Sequence, residues 1–298
     1  MAWRQFVMTL GDLDSDVVTE IFERFGASSV TYTDSGDNPV LEPLPGETPL
    51  WVDTTITGMF APEIDLQPLR DCLIDELGLV ELPANHIEDL EDRIWEREWL
   101  KSFGPMQFGR RLWIYPNGSS PTNDDSVVIH LDPGLAFGTG THATTALCLE
   151  WLDGLSLAGK TMLDYGCGSG VLAIAALKLG CASATGMDID PQAVIATRQN
   201  ASDNNVDGNL RILGAAEEIG GLFDVVVANI LAGPLVQFAE SITLTLRGRG
   251  MLALSGVLCE QADDVMVAYE PWIDFDEPAF KEQDGQVWSR LTGKRRVG

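Results

Sequence analysis

A glycine-rich segment near the middle of the 298-residue chain most strongly constrains the fold. Residues 163–171 read Leu-Asp-Tyr-Gly-Cys-Gly-Ser-Gly-Val. They join a predicted strand, Thr161 to Asp164, to a nearly all-apolar predicted helix, Val171 to Leu179. A glycine loop at such a junction lets the backbone approach a ligand closely, and open α/β sheets bind ligands at the carboxyl ends of their strands. The segment therefore predicts a ligand site at one edge of an α/β sheet.

The spacing of Gly166, Gly168 and Gly170 discriminates between ligands. A dinucleotide-binding loop follows G-x-G-x-x-G, and its third glycine would fall at position 171, where this chain has Val171. The loop itself, residues 166–171, also does not end in the G-K-S/T of a triphosphate-binding loop. Asp164, just before the loop, would repel a pyrophosphate but could hold an ammonium group. Ligands that this loop would recognise through phosphate groups are therefore disfavoured.

Two acidic residues mark the end of the next predicted strand, Ser183 to Asp188. Asp190 precedes Pro191 and is placed to cap the following helix, because Asp and Pro are favoured at these two positions. Asp188 is then left at the strand end, where an acid hydrogen-bonds both hydroxyls of a ribose. A ligand with a ribose, an amino-acid ammonium group and no phosphate is S-adenosylmethionine, which is the cofactor that we predict.

From about residue 120 onward, predicted strands and helices alternate. This alternation is typical of a Rossmann-like doubly wound parallel sheet with helices on both faces. After the elements above, we predict helix Gln192 to Ser202, strand Leu210 to Leu213, strand Phe223 to Ala228, helix Leu235 to Leu246, strand Gly250 to Ser255 and helix Glu260 to Tyr269.

The first part of the chain has a different pattern, strand, helix, strand, strand, helix, strand, which is typical of a ferredoxin-like α+β domain. Its elements are predicted at Trp3 to Leu10, Leu13 to Phe25, Ser29 to Thr33, Leu50 to Thr57, Asp65 to Leu77 and Asn85 to Glu91. We place this domain at residues 1–92 and the Rossmann-like catalytic domain at 121–298. Residues 93–120 are predicted to be a linker with a helix at Trp95 to Phe103 and a hairpin at Met106 to Tyr115, turning near Gly109.

The charge of the chain restricts its partners. The formal net charge is -26, and residues 1–92 hold 20 acidic residues against three Arg and no Lys. So acidic a protein repels the phosphate backbone, and we expect no direct nucleic-acid binding. A basic partner is favoured, and the acidic first domain is the expected recognition domain.

Cysteine and histidine usage indicates neither a metal site nor a disulfide framework. The five cysteines include no C-x-x-C pair, and the three histidines show no metal-ligand spacing. We expect no signal peptide, because only a short apolar stretch follows Arg4 and no cleavage site of that type is present. The longest uncharged run, Pro133 to Leu149, is too rich in Gly and Thr for a membrane span. We expect a cytoplasmic protein with reduced thiols, no membrane association and a monomeric state.

Two further segments carry a more specific resemblance. Leu131 to His142 reads LDPGLAFGTGTH, and Val227 to Pro234 reads VANILAGP. With the D-x-G-x-G-x-G loop, they resemble the ribosomal protein L11 methyltransferase family over the full length of the chain. The resemblance implies a Rossmann-like fold, S-adenosylmethionine as cofactor, and methylation of lysine and terminal amines on a basic protein of the large ribosomal subunit. It also implies that Thr145 contacts the cofactor.

Asn229, at the end of the predicted strand Phe223 to Ala228, is the candidate catalytic residue and also a cofactor-site residue. Methyl transfer to nitrogen needs a neutral amine with its lone pair aligned with the methyl group, and the Asn229 carbonyl could bind an amine hydrogen and orient that lone pair. Many amino-methyltransferases have N-P-P-Y/F here, whereas this chain has Asn-Ile-Leu-Ala. The missing aromatic ring favours a flexible aliphatic amine over a planar nucleobase.

The sequence shows no clear general base. A lysine with a pKa of about 10.4 must lose a proton before it attacks, and water, desolvation and the sulfonium charge could suffice. His142 is expected to be structural. Four alternatives stay open: a methyltransferase of the same fold that acts on another basic protein, a nucleobase methyltransferase, a noncatalytic S-adenosylmethionine sensor, and a nicotinamide-dependent oxidoreductase.

Overall fold

The computed structural model describes residues 3–36, 50–51, 53–90, 104–116, 126–131 and 142–297. The chain divides into two units, Met1–Glu98 and Trp99–Gly298. None of the helices within the described ranges is long and apolar enough to cross a membrane. The predicted linker helix at 95–103 and the segment 132–141 lie outside the described residues.

The first unit is a four-stranded antiparallel sheet with two helices. Its elements follow in the predicted order: β1 Trp3–Thr9, α1 Ser15–Arg24, β2 Ser29–Asp34, β3 Thr54–Phe60, α2 Gln67–Glu76 and β4 Asn85–Leu90. The strands are arranged β2-β3-β1-β4. Strand β3 starts later than predicted, because Thr54 Oγ1 donates to the Trp51 carbonyl (2.6 Å) in a turn just before it.

Alternating side chains of β1 and β3 form the core of this unit. They pack against the apolar faces of both helices, so that both helices cover the same face of the sheet. Asp14 caps α1 by accepting the Asp16 and Val17 amides, and Gly26, with φ +89°, follows its last turn. The buried residues are Phe6, Met8, Leu10, Val18, Ile21, Phe22, Ile56, Phe60, Leu66, Leu69 and Leu73.

The hairpin that the sequence assigns to the linker belongs to the second unit. Strands β5 Met106–Phe108 and β6 Leu112–Tyr115 turn at Gly109 (φ +69°), and β7 Val127–His130 pairs parallel to β6. Apolar residues of all three strands are buried in the same cluster as the glycine-loop helix. The hairpin that was predicted within the linker 93–120 thus packs in the core of the second unit, where its apolar face is buried.

The main sheet of the second unit has the order β10-β9-β8-β11-β12-β15-β13, with β14 paired to β15. Its strands are β8 Thr161–Tyr165, β9 Ser183–Met187, β10 Leu210–Leu213, β11 Phe223–Asn229, β12 Leu246–Leu258, β13 Ile273–Phe275, β14 Ala279–Gln283 and β15 Gln286–Arg295. Pairing is parallel from β10 to β12, but β15 runs antiparallel to β12, β13 and β14. The predicted doubly wound parallel sheet is thus present from β10 to β12, and the antiparallel β15, β13 and β14 make the whole sheet a mixed one. Asp284 and Gly285, at φ +52° and +75°, form the tight turn that reverses the chain into β15.

Helices cover both faces of this sheet. Successive residues of β11 alternate between two buried clusters, Val225 and Val227 in one, Val226 and Ala228 in the other. The helices are α3 Ala143–Gly154, α4 Val171–Lys178, α5 Pro191–Asp203, α6 Ala232–Gln237, α7 Ala239–Leu244 and α8 Ala262–Tyr269. The predicted single helix Leu235 to Leu246 is in fact α6 and α7, because Phe238 between them leaves helical geometry (φ −101°, ψ 17°). Short 3-10 turns occur at Asp207–Asn209, Ala216–Glu218 and Cys259–Gln261.

Candidate functional site

The glycine loop links β8 to α4 at the carboxyl edge of the sheet. Gly166, Gly168 and Gly170 have φ values of +78°, +53° and +78°. Residues other than glycine rarely adopt this backbone conformation. Space is restricted as well: a Cβ atom on Gly166 would lie 2.3 Å from Ile230, and one on Gly170 would lie 2.6 Å from Thr197. Backbone conformation and packing both require glycine here.

Asp188 binds this loop from the neighbouring strand. It directly follows β9, and its carboxylate accepts the Gly168 amide (2.8 Å) and the Asp190 amide (3.0 Å). The side chain remains half-buried, so that it is accessible to a ligand. Asp190 caps α5 by accepting the Gln192 amide (2.9 Å), and Pro191 opens the helix, which confirms the predicted cap.

Asp164 lies inside the protein beneath the loop. It is fully buried, and Oδ2 accepts the Ala173 amide in the first turn of α4 (3.0 Å). The other oxygen, Oδ1, is buried without a hydrogen-bond partner among the described residues. Burial, with a smaller contribution from the charge of Asp188, raises the pKa of Asp164 to about 7. A buried carboxylate oxygen without a donor is a site that an ammonium group could satisfy.

Asn229 ends β11 and is held by a residue 84 positions away. Its Nδ2 donates to Thr145 Oγ1 (3.3 Å). Thr145 is 1 % exposed and lies in the first turn of α3, not in the loop before it. This contact uses the amide nitrogen of Asn229 and leaves its carbonyl oxygen as an acceptor, on a half-buried side chain.

The carboxyl ends of β8, β9 and β11 bring these residues together. Strands β8 and β11 are neighbours although β9 and β10 lie between them in sequence, so that the chain reverses its direction of winding between these strands. Ligands of doubly wound sheets bind at such a switch point. The predicted site residues that the structure places here are Thr145, Asp164, Gly166, Gly168, Gly170, Asp188 and Asn229.

His142 has a structural position. Its Nδ1 caps α3 by accepting the Thr144 amide (3.4 Å), and its ring packs edge-on against Trp288 with centroids 4.7 Å apart. Burial lowers the pKa of His142, with a smaller opposing contribution from Asp284. The neutral ring is thus favoured, as a cap that accepts a hydrogen bond requires.

Sequence reasoning missed a second set of contacts that supports the loop from α5. Thr197 Oγ1 donates to the Gly168 carbonyl (2.9 Å), and Asn200 Nδ2 donates to the Ser169 carbonyl (2.8 Å). Thr197 and Asn200 are three residues apart and so share one helix face. These contacts could have been predicted from the two polar residues at this spacing on the helix that follows Asp190.

The arrangement fits S-adenosylmethionine. The partly exposed carboxylate of Asp188 can accept hydrogen bonds from ribose hydroxyls, the glycine loop permits close backbone approach, and Asp164 Oδ1 lacks a donor. Asn229 adds a neutral acceptor at the same edge. Such a site can bind a nucleoside with an ammonium group and orient an amine beside it.

Comparison with known proteins gives one family model and several relatives that match nearly the full chain. Residues 2–296 match the family described as ribosomal protein L11 methyltransferase (PrmA). The ribosomal protein L11 methyltransferase of Actinobacillus pleuropneumoniae serotype 3 is 49% identical over 298 residues, covering 99% of this chain and 100% of the relative. That of Haemophilus ducreyi is 50% identical over 295 residues, covering 98% and 99%. The crystal structure of ribosomal protein L11 methylase from Lactobacillus delbrueckii subsp. bulgaricus is 30% identical with a TM-score of 0.59, and the match covers 65% of this chain and 100% of that one.

Proposed function

Because this chain belongs to the ribosomal protein L11 methyltransferase family, we propose that it methylates lysine side chains and the N-terminal amine of ribosomal protein L11. It is an S-adenosylmethionine-dependent protein N-methyltransferase. The proposed mechanism is supported mainly by the position of Asn229 at the end of β11, where its amide nitrogen donates a hydrogen bond to Thr145.

Asn229 acts by orienting the substrate. Bound S-adenosylmethionine supplies a methyl group on a positively charged sulfur, and the methyl passes to the lone pair of the amine. The Asn229 carbonyl accepts a hydrogen from that amine and so directs the lone pair, while Thr145 keeps the amide from rotating. A neutral amide performs this task without itself taking a proton.

The proton of the substrate ammonium leaves before the methyl transfer. Among the described residues near the site, Asp164 is assigned to the ammonium of the cofactor and His142 uses Nδ1 as a helix cap, so that neither is placed as a base for an incoming lysine. Water is the proton acceptor in this mechanism. Desolvation of the lysine at the site lowers its pKa from about 10.4 and favours the neutral amine.

Four groups hold the cofactor in this proposal. Asp188 accepts the ribose hydroxyls, the glycine loop lies against the nucleoside, and Asp164 interacts with the ammonium of the methionine part. Thr145, at the position of the cofactor contact that the family resemblance implies, is the fourth group, and it also holds the Asn229 amide. The hydrogen bond from the Gly168 amide to Asp188 supports this assignment, because it couples the loop to the ribose-binding residue.

The first unit recognises the substrate in this proposal. Its βαββαβ order, with strands arranged β2-β3-β1-β4, supports a ferredoxin-like domain. Residues 1–92 hold 20 acidic residues against three Arg, a surface suited to a basic ribosomal protein. The catalytic unit then needs to bind only the cofactor and the target amine.

Intact-mass measurement of purified ribosomal protein L11 tests the function. After incubation with the full chain and S-adenosylmethionine, its mass should rise in steps of one methyl group. The matched control is the Asn229→Ala chain at the same concentration, which should give few or no steps in the same time. No mass change with the unmodified chain would contradict the proposed substrate.

A further inference from the structure

A second concave site lies at the opposite edge of the main sheet. Its volume is about 460 Å³, within the range of small-molecule sites. It is lined by Lys160 just before β8, Asp224 near the start of β11, residues 247–251 of β12 and the end of β15. These are the amino ends of the parallel strands, whereas the cofactor residues follow their carboxyl ends. We call this site the basic cleft.

The charge of the basic cleft is opposite to that of the protein. Its lining contains six cations against two carboxylates, Asp224 and Asp274, whereas the chain has a formal net charge of -26. Almost a third of the 19 Lys and Arg residues are thus gathered at one concavity. The cations are Lys160, Arg247, Arg249, Lys294, Arg295 and Arg296.

Half of these cations have structural partners, and half do not. Arg247 pairs with Asp224 (2.8 Å), Arg296 pairs with Asp274 (2.7 Å), and Arg295 donates to the Leu246 carbonyl. Lys160, Arg249 and Lys294 make no ion pair or side-chain hydrogen bond to any described residue. Three unpaired cations that face one cavity leave a positive potential for a ligand to neutralise.

One of these unpaired cations, Arg249, lies in a bulge of β12. Phe223 pairs with Leu246, but Val225 pairs with Met251, so that β12 has three more residues than β11 between these pairs. Arg249 lies in this bulge with φ +63°, a left-handed conformation that is unusual for arginine. Gly250 beside it has no room for a side chain, since a Cβ would lie 2.9 Å from the Arg247 carbonyl. Residues with such strained backbone conformations cluster at functional sites.

We propose that the basic cleft binds a compact polyphosphate group, either free or as the phosphate end of a nucleotide. Arginine guanidinium groups bind phosphate oxygens in pairs, and lysines add point charges. None of the described residues that line the cleft is aromatic, so that the phosphate groups and not base stacking supply the main recognition. A long nucleic acid is disfavoured, because it would extend over the acidic remainder of the surface.

Titration calorimetry of the full chain with sodium pyrophosphate, at low ionic strength and without divalent cations, tests this site. We expect saturable binding of one pyrophosphate per chain. The double variant Arg249→Gly, Lys294→Ala should weaken the affinity by about tenfold or more, since two charge-assisted contacts are lost. Glycine suits the positive φ of position 249, so that this variant should keep its fold.

The matched control is the double variant Arg198→Ala, Arg211→Ala, which removes two exposed arginines elsewhere on the same unit. It should bind pyrophosphate within about twofold of the unmodified chain if the cleft is the site. Equal losses in both double variants would overturn the proposal, as would the absence of saturable binding at millimolar pyrophosphate. A short single-stranded RNA that binds through Arg249 and Lys294 when pyrophosphate does not would also overturn it.

Titration with adenosine triphosphate and with inorganic triphosphate distinguishes the two sources of the ligand. Tighter binding of the nucleotide would support a nucleotide ligand, and equal affinities would support a free polyphosphate. Both ligands should compete with pyrophosphate and should lose affinity in the Arg249→Gly, Lys294→Ala variant. Binding that this variant leaves unchanged would place the phosphate elsewhere and contradict the proposal.

Discussion

At the scale of single residues, Asn229 is expected to be needed for methyl transfer but not for cofactor binding. We expect Asn229→Ala to reduce turnover about 100-fold, because one positioned group at the reacting centre is lost, and to change cofactor affinity little. Single-turnover methylation and cofactor titration measure the two effects. Thr145→Val keeps the Asn229 amide but removes the hydroxyl that accepts its hydrogen bond, and it should reduce turnover less. Turnover of Asn229→Ala within a few-fold of the unmodified chain would exclude the orienting role.

Asp188, in contrast, is expected to be needed for cofactor binding. Its replacement by Ala should weaken cofactor binding by about 1.5 to 3 kcal/mol, since charge-assisted hydrogen bonds to the ribose and the loop amide are lost. Calorimetry with S-adenosylmethionine measures the change. Asp190→Ala is the matched control, because it removes the cap of α5 but no proposed ribose contact. If both variants bind the cofactor equally well, Asp188 has no role in binding.

The buried Asp164 carboxyl predicts a pH dependence of cofactor affinity. Its pKa of about 7 means that the free site holds a proton below neutral pH, and an ammonium ligand binds only the ionised form. Affinity should therefore fall about fivefold from pH 7 to pH 6, below the pKa of the ligand amine. The Asp164→Asn variant should bind more weakly and lose this dependence. The same pH slope in both proteins would assign the titration to another group.

The same pKa also predicts how stability changes with pH. The folded carboxyl has a pKa of about 7, and the unfolded one has a pKa of about 3.9. The folded state therefore holds the extra proton between these values, and the Asp164 contribution to the free energy of unfolding decreases as pH rises from about 4 to 7. Asp164→Asn should remove this contribution, which denaturant unfolding at several pH values can measure.

At the scale of elements, two constraints act on Gly170, where the glycine loop joins α4. One is its positive φ, and the other is the lack of space beside Thr197. Gly170→Ala should lower the free energy of unfolding by about 1 to 3 kcal/mol, because position 170 has a positive φ and its Cβ would contact Thr197. Gly159→Ala is the control, since Gly159 has φ +73° but open space around its Cβ position. Denaturant unfolding of both variants separates backbone strain from the steric contact. An equal loss in the two variants would show that Thr197 adds no constraint.

At the scale of the whole molecule, the acidic first unit should govern the encounter with the basic substrate. Neutralising three exposed acids of α1, by Asp16→Asn, Glu20→Gln and Glu23→Gln, should lower kcat/KM for ribosomal protein L11 by roughly fivefold at low salt. The effect should appear in KM and should shrink at high salt, where charges are screened. Steady-state kinetics at two ionic strengths measure it.

The control for this prediction neutralises three exposed acids of the second unit, by Glu240→Gln, Asp263→Asn and Asp264→Asn. It changes the net charge of the chain by the same amount. If both triple variants lose kcat/KM equally, net charge alone matters and the first unit does not dock the substrate.

The sequence alone determined the features that depend on neighbouring residues. The glycine loop and the Asp190-Pro191 start of α5 could be predicted, because backbone conformation and helix capping involve only a few consecutive positions. The alternation of elements predicted the sheet class for the same reason. Asp188 could be assigned to the strand end once Asp190 had been assigned to the cap.

Only the tertiary structure decided which distant residues meet. It revealed the bond between Asn229 and Thr145, the burial of Asp164 with an unpartnered oxygen, the antiparallel β15 and the gathering of six cations in the basic cleft. No periodicity encodes these contacts, because each depends on how whole strands and helices pack. Burial also sets the pKa of Asp164, since only the folded chain removes water from its carboxylate.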